Sequence, residues 1–269
     1  MKRLFAGLSD QGLVRKANQD SYRIDEPEGR FFIVADGMGG HAGGEEASRI
    51  AAETIQKFLV ENWQAQLNPP DLLKKALLKA NQDIIQNQKD FPERADMGTT
   101  VVVVLFPTEG QPWCAHIGDS RLYRWRGSQL AQITEDHTWI SQAVKSGLLT
   151  KDQARSHPWR HVLAQCLGRE ELDEIGIQPL DVKSGDQLLL CSDGLTEELA
   201  DEQIAPFFEV KHPCETVVDA LVEAAKDEGG QDNITVVLVA LGDGEEEESS
   251  SWADTPAMDD DPTGDLNEA

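Results

Sequence analysis

The sequence predicts an α+β protein in which antiparallel sheet carries helix pairs on its outside. Short apolar runs at residues 4–8, 21–24 and 31–35 have the length and composition of strands. Two stretches with helical spacing of apolar residues come next. After Gly98 a series of strand-like runs returns, and their connections are too short for parallel crossovers.

The two predicted helices follow each other directly. In the first, apolar residues recur at helical spacing from Ala47 to Leu59, and Glu45 and Glu46 suit the positive end of the helix dipole. Pro69 and Pro70 are predicted to begin the second helix, because proline is well tolerated in a first helical turn. A later helix is predicted from the apolar positions 217, 221, 222 and 225.

The predicted strands after Gly98 are joined by tight turns. The runs cover residues 100–106, 113–117, 121–125 and 130–133, with turns at 108–110, 118–120 and 126–128. Connections this short predict antiparallel hairpins. Two further strands are predicted at residues 187–191 and 234–241, and no internal repeat is found.

Charge is distributed unevenly along the chain. Asp and Glu number 49 against 24 Lys and Arg, which gives a net charge of −25. This balance argues against binding to nucleic acid or to an anionic membrane. Residues 243–269 contain 11 acidic and no basic residues, so −14 remains for the rest. We therefore expect a folded domain over residues 1–242 with a cation-dependent site, and an acidic disordered tail over 243–269.

The cysteines and the N-terminus favour a cytoplasmic protein. The four cysteines form no CxxC pair, so neither a disulfide framework nor a zinc ribbon is predicted. The first twelve residues lack the apolar core of a signal peptide. The longest apolar run, residues 101–106, is too short to span a bilayer.

Four aspartates stand at strand ends and suggest a metal site. Asp36 ends a strand and enters a glycine-rich loop, Asp193 ends another, and Asp232 and Asp20 each precede one. The glycine loop fits the spacing of a dinucleotide site, but that site needs a second parallel strand, and here a helix follows the helix. Any one of these aspartates could be a turn residue. Carboxylates gathered without Cys or His suit Mg²⁺ or Mn²⁺.

The short sequence motifs around these aspartates resemble, in their order and spacing, the motifs of one protein family. They are Asn18-Gln19-Asp20, Asp36-Gly37-Met38-Gly39-Gly40-His41-Ala42-Gly43-Gly44, Met97-Gly98-Thr99-Thr100, His116-Ile117-Gly118-Asp119-Ser120-Arg121, Asp136-His137-Thr138, Cys191-Ser192-Asp193-Gly194-Leu195 and Gly230-Gln231-Asp232-Asn233-Ile234-Thr235. The chain over residues 3–241 resembles the bacterial PPM (type 2C) metal-dependent protein serine/threonine phosphatases. The resemblance implies two stacked antiparallel sheets flanked by helix pairs, an α-β-β-α sandwich, with a mobile flap over about residues 138–168.

The resemblance also implies a metal site built from oxygen ligands. The implied ligands of Mn²⁺ or Mg²⁺ are Asp20, Asp36, Gly37, Asp119, Asp193 and Asp232. Asp36 would bridge two core ions and Gly37 would contribute its carbonyl. Asp119 and Asp193 would hold a third, more weakly bound ion.

The implied reaction is direct attack on phosphorus by a hydroxide that bridges the two ions, since bridging water loses a proton near neutral pH. Arg15 would grip the substrate phosphate. Many eukaryotic members have a His after the Asp-Gly pair, where this chain has Met38. The leaving group would therefore be protonated by His41 or by a metal-bound water.

The implied substrates are phosphorylated proteins, on which we expect the chain to act as a monomer. Within the family the motifs resemble those of a cyanobacterial form that acts on the phosphorylated PII nitrogen-signalling protein, and this resemblance implies phosphorylated PII as a candidate. A non-catalytic relative is disfavoured because Asp36, Asp193 and Asp232 are all present. A metal-dependent phosphodiesterase or nuclease is disfavoured by the negative charge of the body.

Overall fold

The computed structural model describes residues 1–40, 43–64, 67–150, 153–154, 157–159, 161–172 and 175–242. The strands in these ranges are β1 (Lys2–Asp10), β2 (Asp20–Ile24), β3 (Phe31–Met38), β4 (Gly98–Thr99), β5 (Val101–Leu105), β6 (Trp113–Ile117), β7 (Arg121–Arg126), β8 (Gln129–Gln132), β9 (Gly176–Pro179), β10 (Gln187–Cys191) and β11 (Ile234–Gly242). The α-helices are α1 (Gly43–Glu61), α2 (Pro69–Asp90), α3 (Trp139–Lys145), α4 (Asp193–Thr196), α5 (Asp201–Ile204) and α6 (Cys214–Glu228).

The strands form two antiparallel sheets. The first sheet has the order β1-β11-β10-β7-β8, and the second has the order β2-β3-β5-β6-β9 with β4 paired to the end of β3. Every pairing within them is antiparallel. The predicted α+β class and the two stacked sheets are confirmed.

Alternation of side chains along the strands produces three apolar layers. On β3, Phe32 and Val34 enter the layer between the two sheets, whereas Phe31 and Ile33 pack against α1 and α2. Strand β5 is apolar at every position because both of its faces are buried. The outer face of the first sheet is covered by one long helix, α6, together with the one-turn helices α4 and α5. Among the described residues, the second sheet therefore carries a pair of long helices, and the first sheet carries one long helix with two short ones.

Two local predictions differ from the structure. The turn at residues 118–120 was expected to close a hairpin, but β6 lies in the second sheet and β7 in the first. The chain crosses between the sheets here, at Gly118 with φ of +99°, because both strands are already paired to other neighbours. Strand β9 was not predicted, since this edge strand has four residues and ends in Pro179.

Some predicted features fall outside the described residues. These are His41 and the acidic tail at 243–269, together with parts of the flap. The four cysteines are buried thiols. Among the residues that the structure describes, no helix combines the length and the apolar character needed to cross a membrane.

Candidate metal-dependent active site

A cleft of about 770 Å³ opens where the layer between the sheets ends. Residues from both sheets line it. Among the predicted site residues, those at the cleft are Arg15, Asp36, Gly37, Asp119, Asp193 and Asp232. Asp20 does not line this cleft, and instead borders a separate depression together with Ser9 and Asn18.

The strand register explains why Asp36 and Asp20 lie together. They are directly opposed on β3 and β2. Phe32 and Val34 point into the layer between the sheets, so Asp36, two residues further on, points the same way. Directly opposed like charges destabilise a sheet unless something else offsets them. The apolar layer thus ends in a pair of carboxyl groups.

Asp20 is held from the first sheet by two hydroxyl groups. Its Oδ2 accepts hydrogen bonds from Ser192 Oγ at 2.8 Å and from Thr235 Oγ1 at 2.6 Å. Its Oδ1 is buried without a hydrogen-bond partner. A buried carboxylate oxygen of this kind carries a large desolvation cost, which a nearby cation would offset.

Asp193 enters the cleft at the junction between β10 and α4. Ser192 is the N-cap residue of α4, and Asp193 is its first residue. The Oδ1 of Asp193 is also buried and without a hydrogen-bond partner. Asp232 precedes β11 and forms an ion pair with the half-exposed Arg15. Arg15 therefore lies at the cleft, and its role in binding phosphate stays a prediction.

Asp119 belongs to the turn between β6 and β7. The next residue, Ser120, has its Oγ 2.7 Å from Thr100 Oγ1, and Thr100 Oγ1 accepts a hydrogen bond from the Asp36 amide at 3.1 Å. The turn is therefore tied to the strand that carries Asp36. Gly37 must be glycine, because a Cβ there would lie 2.0 Å from the Gly44 carbonyl oxygen.

Burial and mutual repulsion raise the pKa of four carboxyl groups, those of Asp20, Asp36, Asp119 and Asp193. Burial is the largest cause for Asp36, Asp119 and Asp193, and neighbouring carboxylates add to it. Burial likewise raises the pKa of Asp20 to about 7. The Asp36 and Asp193 carboxyl groups lie within hydrogen-bonding reach, which raises the pKa of Asp36 further. Without cations, the cluster has to keep protons that carboxylates ordinarily lose.

The donor set fits hard divalent cations. It consists of carboxylate oxygens, with two buried oxygens that have no hydrogen-bond partner. Within the described ranges, no group of three or more His, Cys, Asp or Glu side chains is arranged so that these side chains alone could hold a metal ion. Backbone carbonyls and water would supply the remaining ligands, as is usual for Mg²⁺.

Several cleft residues were not identified from sequence. The carboxylate of Glu197 contacts Nδ1 of His161, a residue within the predicted flap, and both side chains line the cleft. Arg169 lies at the cleft with its guanidinium bonded to the Met97 carbonyl oxygen at 3.0 Å. Cys166 lines the same wall. No motif distinguished Glu197, Arg169 or Cys166 from ordinary surface and core residues.

Comparison with known proteins is consistent with this geometry. Residues 14–239 match the family described as Protein phosphatase 2C. The serine/threonine protein phosphatase PstP of Mycobacterium tuberculosis is 36% identical over 242 residues, which are 89% of this chain and 45% of that protein. The serine/threonine phosphatase stp of Listeria monocytogenes is 32% identical over 239 residues, covering 86% of this chain and 93% of that protein.

A solved structure extends the comparison to metal binding. The crystal structure of the catalytic domain of PstP in complex with two manganese ions has a TM-score of 0.78 and 33% sequence identity to this chain. The match covers 90% of this chain and 99% of that one. This chain spans about half the length of the mycobacterial protein, so the match concerns a catalytic domain.

Proposed function

Because the chain belongs to the protein phosphatase 2C (PPM) family, we propose that it hydrolyses phosphoserine and phosphothreonine on proteins with the help of divalent cations. The observation that carries the proposal is the cluster of buried carboxyl groups at the cleft and, for Asp20, directly behind its wall on the strand opposite Asp36. Two of its oxygens, one on Asp20 and one on Asp193, are buried without hydrogen-bond partners. Such a cluster is costly to maintain in a fold unless cations use it.

Different carboxylates are proposed to bind different cations. Asp36, the Gly37 carbonyl, Asp193 and Asp232 would hold the core ions, and Asp20 would act on one of them directly or through water. Asp119 and Asp193 are proposed to hold a third, weaker ion. When bound, Mn²⁺ or Mg²⁺ would supply hydroxide at neutral pH and offset charge on the phosphoryl oxygens.

The chain's own residues orient the phosphate and the leaving group. Arg15 lies at the cleft with its guanidinium next to Asp232, so it can move to a phosphoryl oxygen without leaving the site. His41 or a metal-bound water stays the proposed donor of the proton to the leaving oxygen. The wall formed by the flap residues Leu163 to Cys166 would shield the reacting phosphate from water.

As the specific protein substrate, we propose phosphorylated PII. This proposal rests only on the resemblance that the sequence motifs suggest; the acidic body disfavours nucleic acid but does not single out PII. It is tested by comparing kcat/KM for phosphorylated PII with that for an unrelated phosphoserine protein. Equal values would leave the phosphatase assignment intact and remove PII as the preferred substrate.

The reaction itself is tested with two small substrates and a chelator. We expect hydrolysis of p-nitrophenyl phosphate that requires added Mn²⁺ or Mg²⁺ and stops with EDTA, because the ligand set is all oxygen. Bis-p-nitrophenyl phosphate should be a poor substrate. Full activity after dialysis against EDTA would contradict cation dependence, and preference for the diester would indicate a phosphodiesterase.

Replacing Arg15 by alanine should weaken binding more than turnover. We expect KM for a phosphopeptide to rise about tenfold, which corresponds to roughly 1.4 kcal/mol of lost interaction, with a smaller change in kcat. Arg15→Lys should recover only part of the loss, because lysine lacks the bidentate geometry. Arg23→Ala is the control, since Arg23 pairs with Glu53 outside the cleft. An unchanged KM in Arg15→Ala would exclude a contact with phosphate.

A further inference from the structure

His137 joins the turn that carries Asp119 to the base of the flap. Its backbone N–H donates to the Gly118 carbonyl oxygen at 2.9 Å. In return, the Gly118 N–H donates to Nδ1 of the His137 ring at 3.3 Å. Main chain and side chain of one residue thus hold both polar groups of Gly118, which immediately precedes Asp119.

The neighbouring His116 fixes the orientation of the His137 ring. The two rings are stacked with centroids 4.6 Å apart and an interplanar angle of 25°. His116 is buried, and its Nε2 lies 2.9 Å from the Glu135 carbonyl oxygen. Since Nδ1 of His137 accepts a hydrogen bond, the ring proton of a neutral His137 has to be on Nε2.

The other end of the flap returns to the same residue. The His137 carbonyl oxygen accepts hydrogen bonds from the Ala164 amide at 2.8 Å and from the Gln165 amide at 3.4 Å. Thr138 forms a β-bridge with Leu163 directly beside these bonds. Leu163, Ala164 and Gln165 line the cleft, so His137 anchors a wall of the site.

The far side of the Asp119 turn is fixed independently of the flap. Ser120 is linked through Thr100 to the amide of Asp36. Gly118 has φ of +99°, and a Cβ there would lie 2.5 Å from Thr100 Cγ2. The contact from Gly118 to His137 is therefore where movement of the flap base would reach Asp119.

We propose that His137 is a positioning residue that couples the flap to Asp119. The inference rests on the proposed function and adds a residue that touches neither substrate nor cation. When the flap base is in place, Nδ1 holds the Gly118 amide and keeps the Asp119 carboxylate facing Asp193. When Nδ1 is lost, the turn loosens on its flap side, and cation binding at Asp119 becomes dependent on a mobile carboxylate.

Two substitutions of His137 test separately the contribution of ring stacking and that of the hydrogen-bond acceptor Nδ1. His137→Phe keeps a ring that can stack on His116 but offers no acceptor, whereas His137→Asn places Oδ1 near the position of Nδ1 and removes the stack. His212→Phe is the control, because His212 is exposed and lies before α6, away from the cleft lining. All three variants are made in the full chain.

Hydrogen exchange of single amides, followed by NMR in the metal-free protein, gives a measurement that does not depend on activity. We expect exchange at Gly118 to be at least about tenfold faster in His137→Phe than in His137→Asn or the parent protein. With Mn²⁺ present, His137→Phe should need a higher Mn²⁺ concentration for half-maximal hydrolysis of p-nitrophenyl phosphate and lose about tenfold in kcat, because a small misplacement of a ligand is costly.

The outcomes are distinguishable from each other. Slow exchange at Gly118 and normal kcat in His137→Phe would overturn the inference. Equal loss of activity and of melting temperature in His137→Phe and His137→Asn would also overturn it, since that pattern indicates packing alone. If the parent protein hydrolysed no phosphomonoester, the proposed function would fail, while the exchange at Gly118 would still decide whether His137 holds the turn.

Discussion

Replacing Asp36 by asparagine is expected to abolish catalysis while stabilising the metal-free protein. Asp36 lies opposite Asp20 in the sheet and close to Asp193, and it is the residue that we propose as the shared ligand of the core ions. We expect kcat to fall by at least about a thousandfold, roughly 4 kcal/mol in the barrier, because both ions lose a shared anionic ligand.

The expected stabilisation of the metal-free protein by Asp36→Asn follows from the repulsion between the buried carboxylates, which bound cations would offset. Burial and the neighbouring Asp20 and Asp193 hold the pKa of Asp36 well above its usual range. Asparagine has nearly the same shape without the charge and can donate to the Asp193 carboxylate. We expect the metal-free melting temperature to rise by about 2–4 °C, the change that roughly 1 kcal/mol produces in a domain of this size.

Thermal unfolding with and without Mn²⁺ measures both effects in one experiment. The parent protein should gain melting temperature on addition of Mn²⁺, because an ion that binds only the folded state stabilises it. Asp36→Asn should show little gain. Asp90→Asn, at the exposed end of α2, is the control for a carboxylate outside the cluster. A normal gain and measurable kcat in Asp36→Asn would remove Asp36 from the metal site.

The fold could be predicted where local pattern and burial agree. Strand β5 is apolar throughout and α1 has a continuous apolar face, and both were predicted close to their observed bounds. Prediction failed where pairing across the chain decides the outcome. Strand β9 exists because it pairs with β6, and the chain changes sheets at Gly118 because both strands have other partners. Neither fact leaves a periodic pattern in the sequence.

The site shows the same division. Its aspartates could be identified from their positions at strand ends and from the sequence motifs around them. The environment of these aspartates could not be predicted, because it depends on contacts between segments that are far apart in the sequence. Ser192 and Thr235 reach Asp20 across 172 and 215 positions of the chain, and Arg15 reaches Asp232 across 217. Spacing in the sequence carries no information about such contacts.

Asp119 is the predicted ligand for which a simpler explanation has to be considered. It lies in the short turn between β6 and β7, and aspartate often stabilises such a turn by bonding to backbone amides. Burial and the negative charges of Asp193 and Asp136 raise its pKa, while a hydrogen bond with its own backbone lowers it. Asp119 thus has the backbone bond of a turn aspartate and also lines the cleft with other carboxylates, so a measurement has to separate the two roles.

Asp119→Ala is expected to lower kcat by tenfold or more, at least about 1.4 kcal/mol, while the fold and binding at the two core ions persist. The physical reason is that Asp36 and Asp232 remain in place and only the third, weaker ion loses a carboxylate. If Asp119 served the turn alone, the variant would lose about 1 kcal/mol of stability and keep its rate. Calorimetric titration with Mn²⁺ beside kcat separates the two: one ion fewer with reduced kcat supports the ligand role, and an unchanged stoichiometry with normal kcat and a lower melting temperature assigns Asp119 to the turn.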